Sequence, residues 1–290
     1  MDPFVLPDTT SIAQVTLRTH RLPALTQFYE QVIGLKVIRQ HANAAYLSAT
    51  GQEPALLILE QDVTAPRQSA QQPGLFHVAY LLPNRLELAR WWQHFRASNW
   101  PLQGLGDHRV SEAIYLADPD QNGIEIYADR PRSTWPIQNG QVQMTTDPVD
   151  VESLQQEVPV PDKPWTGLPV GTCIGHVHLQ VSNLNLARTF YHELLGFAIT
   201  QQSYPGALFV AAGGYHHHLG LNTWRSRATL PRNPQATGLA SFQIQVPDAL
   251  TLHQVTTRLQ DADYLVKTIA GNKIQVTDKD GITVELATNA

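Results

Sequence analysis

Three residue types that can bind metals or move protons lie close together between Gly106 and Glu125. The segment reads GDHRVSEAIYLADPDQNGIE, with His108 before a short apolar stretch, Tyr115 within it, and Glu125 after a turn. Imidazole and carboxylate groups ligate divalent metals, and a histidine or a tyrosine can exchange a proton with a bound substrate. These side chains are therefore candidates for a metal ligand and for groups that contact a bound substrate.

The elements around these residues are predicted to be two strands joined by a turn. AIYLAD and GIEIYA are short and rich in β-forming residues, and DPDQNG between them has the composition of a turn. Such a hairpin places Tyr115 on one strand and Glu125 on the next. An EF-hand calcium loop is excluded, because Asp129 replaces its final Glu and strands rather than helices flank the loop.

Composition limits the class of protein. The chain has 290 residues, 42% hydrophobic and 16% charged, which is enough for one large or two ordinary globular domains. A net charge of −5 argues against a nucleic-acid partner, and no apolar run approaches the length of a membrane span. A single cysteine and the lack of a visible signal peptide predict a cytoplasmic protein.

The chain is built from four similar units. Residues 14–37 align without gaps on residues 176–199, and LADPDQNGIEIYA aligns on VTDKDGITVELAT so that Glu125 matches Glu285. Each unit begins with an alternating strand, continues with an amphipathic helix and ends with two or three strands. Four βαβββ modules are therefore predicted, at about 11–61, 74–129, 173–223 and 238–288.

The predicted fold class is α+β, with the four modules paired into two cupped β-sheet barrels. An N-terminal pair of modules would occupy residues 1–130 and a C-terminal pair residues 172–290. The proline-rich segment 131–171 has no sustained periodicity, which indicates a linker. Its length allows modules to pair out of sequence order.

Together these features resemble the vicinal oxygen chelate superfamily, which includes glyoxalase I, extradiol dioxygenases and drug-binding resistance proteins. The hairpin segment resembles the extradiol signature, although Gln121 stands where that family usually has Gly or Pro. GLFHVAYLLPNR, SEAIYLADPDQNGIEIYADRPRSTW and AGGYHHHLGLNTW resemble the bacterial catechol-2,3-dioxygenase subgroup. The resemblance implies cleavage of a catechol-type ring with O2 at an Fe(II) centre, with Mn(II) serving in some relatives.

In that superfamily, the metal ligands come from the first and last strands of paired modules. The nominated positions are Gln14, His77, His176 and Ser241 on first strands, and Ala55, Glu125, His217 and Glu285 on last strands. Oxygen-activating Fe(II) sites use two histidines and one carboxylate with open positions, which only modules 2 and 3 supply, as His77, His176 and Glu125. We therefore predict that module 2 pairs with module 3, and that modules 1 and 4 form a degenerate cup.

Each of these ligands also has a purely structural interpretation. His77 lies in an apolar strand and His176 near the start of another, where a buried core histidine is the commoner case. A carboxylate such as Glu125 between apolar residues needs a metal or an arginine partner, because burying an unpaired charge is costly. Their joint occurrence at matching places in repeated modules favours the metal-ligand interpretation.

The resemblance assigns proton transfer to His217 and orientation of the substrate to Tyr115 and His108. His217 is the middle residue of the run His216–His218, and in a strand it would face opposite to its two neighbours. A shift of one residue in the strand would nominate a different histidine. Tyr115 and His108 are also consistent with ordinary packing in a hairpin.

Two other functions stay open at this point. A lyase or isomerase of the glyoxalase I type would use Gln14, His77 and Glu125, although Ala55 offers no fourth ligand. A metal-free binding or resistance protein is disfavoured by the intact set of histidines and Glu125. The predicted partners are a small aromatic diol and O2, with no nucleic acid and no membrane, and with a homo-oligomer left open.

Overall fold

The structure is a computed structural model that describes residues 4–160 and 162–288. Modules 1 and 2 each follow the predicted order of one strand, one helix and three strands. Their elements are β1 (Ser11–Thr19), α1 (Leu22–Phe28), β2 (Lys36–His41), β3 (Ala44–Ser48), β4 (Leu57–Gln61), β5 (Gly74–Leu82), α2 (Arg85–Ser98), β6 (Leu102–Asp107), β7 (Ser111–Ala117) and β8 (Gly123–Asp129). The first helix continues as a π-helical turn over Tyr29–Ile33.

The segment between modules 2 and 3 carries little regular structure. It contains a 3-10 turn (Arg132–Thr134), the short hairpin β9 (Ile137–Gln138) and β10 (Gln141–Val142), and the helix α3 (Val151–Gln156). Backbone hydrogen bonds between Asp107 and Asp147 tie this segment to the end of β6. The predicted linker is therefore anchored to module 2 at a point close to His108.

Modules 3 and 4 repeat the order of the first two. Their elements are β11 (Cys173–Gln180), α4 (Leu184–Ala187), β12 (Ala198–Gln201), β13 (Ala207–Ala211), β14 (Leu219–Asn222), β15 (Gly238–Val246), α5 (Ala249–Asp261), β16 (Lys267–Ala270), β17 (Lys273–Thr277) and β18 (Thr283–Thr288). As in module 1, the helix of module 3 continues in π-helical form, here over Arg188–Leu194. All four predicted modules are present, within about one residue of their predicted limits.

The helix of module 1 packs through the apolar face that its spacing predicts. Its apolar residues at helical spacing are all buried, namely Leu22, Leu25, Phe28, Val32 and Ile33. Gly34 and Gly196 end the equivalent helices of modules 1 and 3 with φ of 93° and 92°, a left-handed conformation that glycine adopts without a Cβ clash. Within the described residues, no helix is long and apolar enough to span a membrane.

The strands of the four modules form two sheets of eight. One sheet has the order β16-β17-β18-β15-β1-β4-β3-β2 and so combines modules 4 and 1. The other has the order β12-β13-β14-β11-β5-β8-β7-β6 and combines modules 3 and 2. The predicted out-of-sequence pairing of the modules is confirmed. Both strand orders are open at their ends, so the sheets are not closed barrels, and that part of the predicted fold is corrected.

The chain forms two compact units, each drawn from separated parts of the sequence. The first contains residues 1–18, 64–76 and 175–290, and the second contains residues 19–63 and 77–174. The predicted domains, 1–130 and 172–290, group the modules by their order in the sequence. These domain limits stay a prediction.

The first strand of module 3 carries an apolar row and a polar row. Successive side chains of a strand point to opposite faces, so Val177 and Leu179 share one face of β11. His176, His178 and Gln180 share the other. All five residues are buried. The strand therefore holds three polar side chains in a row on the face opposite its apolar residues.

Candidate metal centre and catalytic residues

The β7–β8 hairpin holds Tyr115 and Glu125 directly opposite each other in antiparallel register. Asp118 organises the turn between the two strands. Its Oδ1 atom accepts the backbone N–H groups of Asp120 at 2.8 Å and Asn122 at 2.9 Å. The predicted hairpin is therefore confirmed, with the tyrosine and the carboxylate on neighbouring strands.

Gln121 occupies the turn position where the extradiol signature has glycine or proline. Its φ of 68° is a left-handed conformation that costs a residue with a Cβ atom roughly 1–2 kcal/mol. The corresponding residue of module 4 is Gly281, with φ of 79°. The backbone geometry thus explains the usual glycine, and this chain forms the same turn despite the glutamine.

His77 and Glu125 form a close, buried pair. They lie on the parallel neighbours β5 and β8, in a register that sets Ala79 beside Glu125. The Nε2 atom of His77 lies 3.0 Å from Oε2 of Glu125, and only 8% and 3% of the two side chains are exposed. Two ligands at right angles around an ion, each about 2.1 Å from it, would lie about 3 Å apart. The pair therefore has the spacing of two neighbouring ligands of one metal.

His176 completes a group of three ligand side chains. The ligand atoms of His77, Glu125 and His176 all lie within 4.8 Å of one another, and all three residues are buried. Two imidazoles and one carboxylate are the donor set of non-haem Fe(II) sites that leave positions open for substrate and oxygen. The structure thus brings the three predicted residues together, and their donor chemistry fits a divalent transition metal.

Tyr115 and His108 form a hydrogen-bonded relay close to His77. Nε2 of His108 lies 2.6 Å from Oη of Tyr115, and Nδ1 of His108 lies 2.5 Å from the carbonyl oxygen of Thr145. Because a carbonyl oxygen can only accept, Nδ1 of His108 carries a proton, and in the tautomer with its single proton on Nδ1 the Nε2 atom accepts from the Tyr115 hydroxyl. The ring centroids of Tyr115 and His77 are 5.7 Å apart.

Gly106 and the segment after module 2 make room for His108 and orient it. A Cβ atom on Gly106 would lie 3.1 Å from the His108 ring, so a larger residue at this position would press on the imidazole. Asp107 and Asp147 exchange two backbone hydrogen bonds of 2.8 Å. This pairing brings the nearby Thr145 carbonyl against Nδ1 of His108, so the segment fixes the tautomer of the histidine.

The run His216–His218 lies in a loop that ends before β14, so the strand alternation predicted for it is wrong. The ring of His217 lies close to that of His176, with 4.1 Å between centroids. The Nδ1 atoms of His216 and His217 are 2.8 Å apart and share a hydrogen bond. The structure therefore places His217 beside a candidate ligand, as a catalytic role requires, with His216 bonded to it rather than turned away.

In module 3, the residue that corresponds to Glu125 is Gly220. In module 2, Glu125 pairs with Ala79, two residues after His77. In module 3, Gly220 pairs with His178, two residues after His176. His217 and Ala55 instead precede the last strands of their modules. The predicted alignment of these two residues with Glu125 is therefore wrong.

His218 is a neutral histidine that supports the loop. Its Nδ1 atom accepts the backbone N–H of Ala212 at 3.1 Å. Burial, together with the nearby imidazoles of His216 and His176, lowers the pKa of His218 to about 3. His218 therefore carries no proton to donate as an imidazolium near neutral pH.

An aromatic group to which the sequence patterns assigned no role surrounds His178. The ring centroids of Phe76, Trp224 and Phe209 lie 5.1, 5.4 and 5.8 Å from that of His178. Phe209 also lies 5.0 Å from His217, and Trp224 is 45% exposed. The group therefore extends from the buried histidines to the surface. The alternation of histidines in HVHLQ was the one sequence signal that pointed to this face.

Module 4 has a lysine beside the counterparts of the candidate ligand pair of module 2. Ser241 and Glu285 are the counterparts of His77 and Glu125, and Oγ of Ser241 lies 3.4 Å from Oε1 of Glu285. The ammonium group of Lys273 lies 2.5 Å from Oε2 of Glu285. A side-chain cation thus compensates this carboxylate, which is the arrangement expected of a degenerate cup.

Comparison with known proteins identifies the family. Residues 11–126 and 173–286 match the Glyoxalase/Bleomycin resistance protein/Dioxygenase superfamily, and the chain belongs to that superfamily. It is 45% identical over 268 residues to the catechol-2,3-dioxygenase of Bacillus subtilis strain 168, which covers 89% of this chain and 90% of that relative. The predicted family is confirmed.

Two solved structures have a similar fold. One, from Bacillus subtilis subsp. subtilis str. 168, gives a TM-score of 0.66 at 14% identity, over 96% of this chain and 84% of the other. The other is glyoxalase I from Zea mays, with a TM-score of 0.58 at 14% identity over 97% and 92% of the two chains. At this identity the two likenesses show a shared fold alone.

Proposed function

We propose that this protein is an extradiol dioxygenase that opens a catechol-type ring with O2 at an Fe(II) centre held by His77, His176 and Glu125. The observation that carries the proposal is the convergence of the three ligand atoms within 4.8 Å. The similarity to a catechol-2,3-dioxygenase over most of both chains supports it. The predicted cytoplasmic location and the open question of a homo-oligomer stay predictions.

The donor set suits a metal that must also accept two further molecules. A metal held by these three protein ligands would keep open positions for other donors, as non-haem Fe(II) sites do. When bound, Fe(II) would supply the Lewis acidity that favours an ionised diol, together with the activation of O2. Mn(II) is the alternative metal, because it accepts the same nitrogen and oxygen donors.

Tyr115 and His108 are placed to take up a proton from the diol. In this tautomer, Oη of Tyr115 donates to Nε2 of His108, and a hydroxyl oxygen can also accept a hydrogen bond, here from a substrate hydroxyl. A proton from that hydroxyl would pass to Tyr115 as the phenol proton moves to His108. The Thr145 carbonyl, which accepts from Nδ1, would stabilise the imidazolium that results.

His217 is placed to exchange a proton on the side of His176. Its Nδ1 atom is engaged with Nδ1 of His216, and we assign the proton exchange with a reacting oxygen to the other ring nitrogen, Nε2. The Phe209 ring beside it provides a flat apolar wall against which an aromatic substrate can pack. The expected reaction breaks the carbon–carbon bond beside the diol, and both atoms of O2 enter the ring-opened semialdehyde acid.

The strand order does not favour the glyoxalase I type of function. Gln14 lies on β1, in the sheet of modules 1 and 4. His77 and Glu125 lie on β5 and β8 of the other sheet. The three residues that this alternative needs are therefore divided between two sheets.

The test is a ring-cleavage assay on protein loaded with Fe(II) under anaerobic conditions. Catechol and air are then added, and bound iron, O2 uptake and the yellow semialdehyde are measured together. We expect O2 uptake in step with product, with label from ¹⁸O2 in the product acid and aldehyde. Iron-loaded protein that opens neither catechol nor its alkyl and halo derivatives would reject the proposal.

A further inference from the structure

In modules 2 and 4, the turn between the last two strands is hydrogen-bonded to the helix of the preceding module. The Tyr29 hydroxyl donates to Oδ2 of Asp118 at 3.1 Å, which links module 1 to module 2. The Tyr191 hydroxyl donates to Oδ2 of Asp278 at 2.9 Å, which links module 3 to module 4. The two bonds are repeat-related, and both lie in the interior, since Tyr29 and Tyr191 are fully buried.

Asp118 is the residue that shapes the turn of the ligand-bearing hairpin. Besides the two backbone N–H groups that Oδ1 accepts, its Oδ2 atom accepts from Nδ2 of Asn122 at 2.8 Å and from Tyr29. A buried carboxylate is costly unless donors surround it, so each donor helps to hold it in place. Asp118 follows β7, which carries Tyr115, and precedes β8, which carries Glu125.

A second set of contacts from module 1 holds the same turn. The hydroxyl of Thr19 donates to Oδ2 of Asp120. The guanidinium of Arg21 donates to Oδ1 of Asp120 at 3.0 Å through Nε. In module 4, the counterpart Asp280 accepts the backbone N–H of Ser182 at 2.9 Å. The turn that leads to Glu125 thus has side-chain contacts from module 1 at both of its aspartates.

We infer that Tyr29 is a positioning residue of the candidate metal centre. Module 1 supplies none of the three ligands, and its role is to hold, through Asp118 and Asp120, the strand pair that carries Tyr115 and Glu125. The inference rests on the proposed metal site and goes beyond it, because it gives a function to a module that carries no ligand. Tyr191, which holds the corresponding hairpin of module 4, has no such role.

The internal repeat supplies a matched control. Tyr29→Phe and Tyr191→Phe each remove one buried hydroxyl from one buried aspartate, at equivalent places in the fold. The measurements are urea unfolding of the metal-free proteins and Mn(II) affinity, followed by the electron paramagnetic resonance signal of free Mn(II). Both variants should unfold at a lower urea concentration than the wild type, and by a similar amount. Only Tyr29→Phe should weaken Mn(II) binding, by about tenfold, the lower end of the effect of removing a group that orients a metal ligand.

A second variant guards against misfolding of the first. Thr19→Val removes the contact to Asp120, and the repeat-related residue of module 3 is already Val181, so valine suits this position. We expect Thr19→Val to weaken Mn(II) binding as Tyr29→Phe does. Equal Mn(II) affinities for Tyr29→Phe and Tyr191→Phe would overturn the inference. If Tyr29→Phe does not fold, an unchanged Mn(II) affinity in Thr19→Val would overturn it.

Failure of the proposed function gives a different result. Wild-type protein that binds Mn(II) but opens no catechol when loaded with iron would reject the dioxygenase proposal and leave the comparison of Tyr29→Phe with Tyr191→Phe valid. Wild-type protein that binds no Mn(II) would overturn both.

Discussion

The hydroxyl of Tyr115 and Nε2 of His108 are 2.6 Å apart, and the Thr145 carbonyl fixes the opposite nitrogen of the same imidazole. Neither residue is among the three candidate ligands. The relay is therefore expected to act on the substrate and not on the metal.

Tyr115→Phe removes the hydroxyl of this relay and keeps the ring. We expect kcat/KM for catechol to fall by about 100-fold, the lower range for losing a positioned proton-transfer group, while the metal content stays that of the wild type. Steady-state kinetics on protein of measured iron content checks this. Tyr46→Phe, at a tyrosine of β3 in the other sheet, is the control. Loss of metal in Tyr115→Phe would mean that the tyrosine supports the ligands instead.

His77→Ala and His217→Ala should separate a ligand from an acid–base group. His77→Ala removes one of three proposed ligands, so bound metal and activity should fall together. His217→Ala leaves the ligands in place, so metal and catechol binding should persist while kcat drops by ~100-fold or more. Metal analysis, equilibrium binding of catechol and kcat are measured on the same preparations.

The opposite outcomes for these histidines are equally informative. If His217→Ala loses the metal as His77→Ala does, His217 is a ligand and the assignment of roles is wrong. If His217→Ala keeps full activity while His216→Ala abolishes it, the proton-transfer group is the other member of the hydrogen-bonded pair.

Gln121→Gly should stabilise the protein. The residue has a φ of 68°, and glycine adopts this conformation without the Cβ penalty, although it loses more backbone entropy on folding. We expect a gain of about 1 kcal/mol in the free energy of unfolding, measured by urea denaturation. The control is Gly281→Ala, since a Cβ there would lie 2.6 Å from the carbonyl oxygen of Arg232. It should destabilise the chain, and a neutral result for both would contradict the backbone explanation.

Asp278 should make stability fall as the pH rises. Burial raises its pKa from 3.8 to about 7, so between these values the unfolded chain ionises this group while the folded chain keeps it protonated. Its contribution to stability is therefore greatest below pH 4 and is lost as the pH rises to 7, by up to about 4 kcal/mol.

Asp278→Asn should remove this dependence. Urea unfolding of the metal-free protein at several pH values between 4 and 7 measures it, because the variant should lose less stability across that range than the wild type. Asp118→Asn should act in the same direction over a narrower range, since burial raises the pKa of Asp118 to about 6. Parallel pH profiles for wild type and Asp278→Asn would contradict the assignment.

Residues fixed by the repeat could be predicted from the sequence, and those fixed by loops could not. The alignment of modules placed His77 and His176 on first strands and Glu125 on a last strand, and the uneven distribution of ligand types predicted which modules pair. The strand β14 begins at Leu219, after the histidine run. Nothing in HHHLGLN shows that a loop, rather than a strand, carries His217.

Contacts between distant segments were also out of reach of the sequence. The bond from Tyr29 to Asp118 spans 89 residues. Phe76 of module 2 and Trp224, just after module 3, meet at 5.3 Å. Periodicity describes the face on which a side chain lies, and tertiary packing decides which residue it meets there.

The most direct test of the central claim is to locate the metal itself. Crystals of the protein loaded anaerobically with Fe(II) or Mn(II) would be measured at the absorption edge of the metal to obtain its anomalous scattering. We predict one strong peak about 2.0–2.3 Å from an imidazole nitrogen of His77, an imidazole nitrogen of His176 and a carboxylate oxygen of Glu125. A peak at any other set of residues, or no peak in crystals of protein that opens catechol, would contradict the account.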